Sequence, residues 1–94
     1  MAETNGQWSE TKPVTTEIIL MACMMQEKVK EMTKKTYEQY DAIEYREIVN
    51  VLPWPLFIKV QVGVNEYIHV MIRVFYVNIL QPLKMLVVGV QENL

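Results

Sequence analysis

The sequence predicts an α+β fold, one long helix packed on a four- to five-stranded antiparallel sheet. Three observations predict it. From Glu17 to about Thr36, apolar residues recur at steps of three and four, and no Gly or Pro interrupts them. From Ala42 onward the period switches to two. The alternating stretches are joined by short breaks rich in turn residues, at Pro53-Trp54-Pro55, Gly63-Val64-Asn65-Glu66 and Asn78–Pro82. Links this short make hairpins, and a hairpin sheet needs only one covered face. The 94 residues fit a single domain, 1–94, with a modest core.

Each element has its own signal. Residues 1–12 are polar and read as a flexible N-terminal trunk. Pro13 sets the entry to the helix, and Thr15 or Thr16 supplies a hydroxyl for its first free amides. Ile18, Ala22, Met25, Val29 and Met32 form the stripe that should face the core. Ile19, Leu20, Cys23 and Met24 leave a second apolar surface on the opposite side. Met21, Met24, Met25 and Met32 read as adaptable filler of the helix interface.

In the first strand Ile43, Tyr45, Glu47 and Val49 alternate with Ala42, Glu44, Arg46 and Ile48. Proline cannot donate to a sheet ladder, so Pro53-Trp54-Pro55 reads as a rigid loop tip presenting an aromatic. Trp54 is then either a binding anchor or an aromatic folded back on Leu56 or Val51. Leu56, Ile58, Val60 and Val62 mark one side of the second strand; Ile68, Val70, Ile72 and Val74 mark one side of the third. Leu83 to Val90 is a last strand, and a short N-terminal strand can add to the sheet.

Composition narrows the function. Hydrophobic residues make up 51% and the net charge is −2, which gives no basic surface for nucleic acid or an anionic membrane. The longest apolar run, Ile18 to Met25, falls far short of the about 20 residues a bilayer requires. A polar start and a single cysteine predict a reducing, cytoplasmic setting with no internal disulfide.

Chemistry is sparse. Cys23 falls mid-helix and His69 mid-strand, with no cationic cluster to lower the thiol pKa, so no nucleophile–base pair and no enzyme is expected. Two candidate ligands without spacing make no metal site, and no cofactor is implied. Glu44 and Glu47 read as solvent-facing strand carboxylates.

The order of several fragments points to a family. Ser9-Glu10-Thr11-Lys12-Pro13, Thr16-Glu17-Ile18, Lys35-Thr36-Tyr37, Ile58-Lys59-Val60-Gln61-Val62-Gly63 and Tyr67-Ile68-His69 together resemble the stefins, the type 1 cystatins, over nearly the whole chain. The resemblance implies a cystatin-like fold, a five-stranded antiparallel sheet wrapped around one long helix. It also implies reversible inhibition of papain-like cysteine proteases, by a wedge of N-terminal trunk and two hairpin loops that fills the active-site cleft. Carried over to this sequence, Gly6 aligns with the trunk glycine, and Trp8 with the apolar residue after it. The first loop is Val49, Asn50, Val51, Leu52, Pro53 and Trp54; the second is Leu80, Gln81 and Pro82. Ile48-Val49-Asn50-Val51-Leu52 stands where the family carries Gln-Val-Val-Ala-Gly, and only Val49 matches. That departure keeps two alternatives open: a non-inhibitory or engineered binding module on the stefin scaffold, and a domain-swapped dimer formed by hairpin exchange.

Overall fold

The computed structural model describes residues 7–75 and 84–92. Gly6 and the loop Leu80, Gln81 and Pro82 lie outside the described residues. The chain forms strand β1 (Lys12–Pro13), helices α1 (Thr16–Met24) and α2 (Gln26–Thr33), and strands β2 (Asp41–Glu47), β3 (Trp54–Gly63), β4 (Glu66–Phe75) and β5 (Lys84–Glu92). The strands make one antiparallel sheet in the order β1-β2-β3-β4-β5. The α+β class, with its helical layer on an antiparallel sheet, is therefore the observed one.

The helix starts where its cap is. Thr15 is extended, and its Oγ1 accepts from the Ile18 N–H at 3.2 Å. The single long helix expected over 17–36 divides at Met25, whose φ of −93° and ψ of 1° leave the helical region. Its N–H is shared between the Met21 and Ala22 carbonyls, each at 3.2 Å. The helix stops three residues earlier than expected, at Thr33, because Lys34 turns left-handed with φ 62°.

One face of the sheet is covered. Ile18, Met21, Ala22 and Val29 pack on Leu56, Ile58, Val60, Ile68, Val70, Ile72, Val74 and Val87, all of them buried. Alternation along β3 and β4 is therefore as read from the period. Met32 departs from the expected stripe and is exposed, whereas Met21 lies in the core. Beyond the break at Met25 the stripe holds at Val29 and is lost only at Met32, one residue before α2 ends. The outer helix face is exposed at Ile19, Leu20, Cys23 and Met24.

Strand β2 also departs from simple alternation. Its register shifts between Ala42 and Glu44, so Ala42 and Tyr45 pack against the core and Ile43 is turned out. The β3–β4 turn falls where expected, with Asn65 at φ 56° supplying the left-handed residue. Among the described residues no helix is long and apolar enough to cross a membrane.

Candidate functional site

The link between β2 and β3 is the most apolar exposed loop among the described residues. Leu52 keeps 76% of its surface exposed and Val49 keeps 43%. Residues 49–50 make the turn, and Asn50 takes φ 63°. Asparagine is among the few non-glycine residues that adopt this conformation without a large steric penalty. The sequence reading assigned the turn to the prolines; the structure assigns it to Asn50. The Leu52–Pro53 bond is cis. Asn50→Val is expected to lower stability by about 1–2 kcal/mol, because a β-branched side chain resists positive φ. Asn50→Gly keeps the positive φ without strain and should cost less than Asn50→Val. Urea denaturation checks both, and equal losses would mean the Asn50 side chain matters more than its backbone.

The expected loop tip at Pro53-Trp54-Pro55 needs correction. Trp54 opens β3 and pairs with Val74; Pro55 follows it in the strand, pairs with Arg73 and is fully buried. Proline is tolerated because it sits at the end of the β2–β3 ladder. The Ile48 N–H donates to the Pro55 carbonyl at 3.3 Å, and only the reciprocal bond is missing. The Trp54 ring is part-buried against the core. Its Nε1 donates to Glu47 Oε1 at 3.0 Å. Trp54 is therefore a part-buried strand residue and not a loop aromatic, and the exposed tip belongs to Val49–Leu52.

Glu47 is the residue the sequence reading missed. Its place in the strand pattern reads as a solvent-facing carboxylate, yet its side chain is only 13% exposed. Oε2 meets the Lys12 Nζ at 2.6 Å while Oε1 takes the Trp54 indole N–H. The Lys12 ammonium is held above its ordinary pKa, chiefly by this hydrogen bond to Glu47. The Glu47 N–H donates to Ser9 Oγ at 3.1 Å, and the Ser9 N–H donates to the Glu47 carbonyl at 2.8 Å. One carboxylate thus ties the N-terminal segment, β2 and the start of β3 together. A weak signal was present: Glu47 shares its strand parity with Tyr45, which faces inward.

The surroundings complete the end of the sheet. Glu47, Val49, Asn50, Val51, Leu52 and Trp54 line a shallow hollow of about 500 Å3. Arg73 Nη1 donates to the Pro53 carbonyl at 3.3 Å, bracing the loop from β4. Phe75 and Lys84, the facing ends of β4 and β5, stand at this same end. Trp8 is 43% exposed and leans on Phe57, with ring centroids 5.7 Å apart. Trp8 and the tip residues 49–52 are therefore brought to one end of the molecule.

Cys23 and His69 are not brought together. Cys23 is exposed on α1, whose other side covers the sheet. His69 lies on the opposite face, stacked on Phe57. Among the described residues no three His, Cys, Asp or Glu gather as metal ligands would.

No protein-family model matches the chain. Curated relatives do. It is 38% identical to Cystatin-A8 of Sus scrofa over 81 residues, 86% of this chain and 78% of that protein. It is 43% identical to Cystatin-A of Bos taurus over 65 residues, 69% of this chain and 65% of that protein. It is 44% identical over 70 residues to a Sus scrofa protein named Leukocyte cysteine proteinase inhibitor 1, covering 74% of this chain and 65% of that protein. Against the latter two, the match spans just under two thirds of the relative's length. With a helical layer on one face of a five-stranded antiparallel sheet, and this likeness over most of its length, the chain belongs to the stefin family, the type 1 cystatins.

Proposed function

We propose that the protein is a reversible inhibitor of papain-like cysteine proteases inside the cell, and not itself an enzyme. Its contact surface is the end of the sheet carrying Trp8 and the tip Val49-Asn50-Val51-Leu52. Gly6 and Leu80, Gln81 and Pro82 belong to the proposed surface as flanking contacts. Trp54 and Pro53 act from behind, holding the tip in shape. The observation that carries this reading is the Leu52 side chain, presented to solvent on a loop braced by Glu47 and Arg73. An apolar residue offered on a preordered loop suits a concave apolar cleft, because little ordering entropy remains to be lost on binding. The names of the relatives support the target class: one is called a cysteine proteinase inhibitor, others cystatins. A single cysteine, Cys23, suits a reducing compartment.

The test is a titration against papain with residual protease activity as the readout. Stoichiometric or nanomolar inhibition is expected. Full protease activity at micromolar protein would overturn the reading and leave a non-inhibitory binding module on the stefin scaffold, the alternative that the altered tip sequence favours.

A further inference from the structure

The outer face of the sheet, away from the helices, carries a cleft that the proposed inhibitory surface does not use. Its volume is about 280 Å3, and its lining includes Thr11, Glu44, Arg46, Phe57, Lys59 and His69. The register explains why these residues meet. Glu44 pairs with Lys59 and Lys59 with His69, while Arg46 pairs with Phe57 in the neighbouring row. Side chains of one parity from three adjacent strands therefore share one patch.

Two observations mark the cleft as more than a solvated face. First, the His69 ring lines the cleft while its Nδ1 is closed off from solvent, so a ligand meets the rest of the imidazole and its charge, not this atom. The ring is fixed in place by stacking on Phe57, with centroids 4.8 Å apart and planes 13° from parallel. Second, the charges are unbalanced. Arg46 is exposed, and its Nε donates to Thr11 Oγ1 at 3.1 Å. Lys59 Nζ stands 4.5 Å over the Tyr67 ring and 3.9 Å from Glu44 Oε2, too far for a tight ion pair. Two cations thus face one carboxylate around a neutral imidazole.

We propose that this cleft is a ligand site for a small oxyanion, held between Arg46, Lys59 and His69. A sulfate, a phosphate or a carboxylate-bearing small molecule shares the chemistry: a compact anion with several acceptor oxygens. The imidazole responds to occupancy. In the empty cleft the His69 pKa lies below its ordinary 6.5, first because of burial, then through Lys59 and Arg46, with Glu44 opposing. On the β5 side its pairing partner is the uncharged Gln91. An anion beside the ring favours the protonated form, so binding takes up a proton. Affinity then rises as the solution pH falls toward and below 6.5.

The experiment is a titration of the full chain with sodium sulfate at constant ionic strength, followed by the His69 ring proton signals in NMR. Sulfate keeps its charge across the range, so a pH series from about 7.5 to about 5.5 reports the imidazole rather than the ligand. The expected result is saturable binding that tightens toward low pH. Arg46→Gln and Lys59→Gln should each weaken it about tenfold, and Glu44→Gln should strengthen it. Phosphate and acetate in parallel distinguish a polyoxyanion site from a carboxylate site. A response linear in sulfate, or one indifferent to Arg46→Gln and Glu44→Gln, would overturn the proposal. Protease inhibition plays no part in this readout, so the two proposals stand or fall separately.

Discussion

Trp54→Ala is expected to lower stability by about 2–3 kcal/mol and to weaken protease inhibition at the same time. Loss of a fully buried tryptophan costs roughly 3–5 kcal/mol, and this ring is only part-buried, so the lower figure applies. The substitution also removes the indole donor from Glu47 Oε1. Glu47 then keeps Lys12 and Ser9 but loses its link to the start of β3. The tip loosens, and ordering it again on binding costs affinity. Trp54→Phe keeps most of the packing and loses the hydrogen bond, for about 1 kcal/mol. Urea denaturation and the inhibition constant, measured on the same variants, check this. Weaker inhibition from Trp54→Ala at full stability would mean that the ring touches the protease itself.

Leu52→Asp separates contact from support in the opposite way. Leu52 is 76% exposed, so the change should leave stability within about 0.5 kcal/mol. If Leu52 enters an apolar subsite, a carboxylate there must be desolvated without a partner. Inhibition should weaken about thirtyfold, near 2 kcal/mol. Unchanged inhibition would remove Leu52 from the contact surface and shift weight to Trp8 and the flanking segments.

The contrast between these residues shows how far the sequence could be read. The apolar character of the tip was visible in Val49 to Leu52, and the prolines marked the break between strands. The expectation of a Pro53-Trp54-Pro55 loop tip fails because proline excludes strand only inside a ladder. At the end of a ladder a proline forfeits one rung only, and Pro55 sits there. Asn50 carried no recognisable turn pattern, since Val49 and Val51 flank it and no glycine follows.

By itself the sequence determined the elements and which sides of β3 and β4 are buried. Those features rest on local periodicity, with a 3.6-residue period before Thr33 and a two-residue period along the strands. It also determined the exposed apolar face of α1, because nothing else in the chain was patterned to cover it. Only the tertiary structure decided the break at Met25, the outward turn of Ile43 and the cleft around His69. Above all it decided the role of Glu47, whose ion-pair partner Lys12 lies 35 positions away in the chain. Periodicity says which side of an element a residue faces. It does not say which charge or ring stands opposite, because that depends on strand register, and register is set by the packing of the whole sheet.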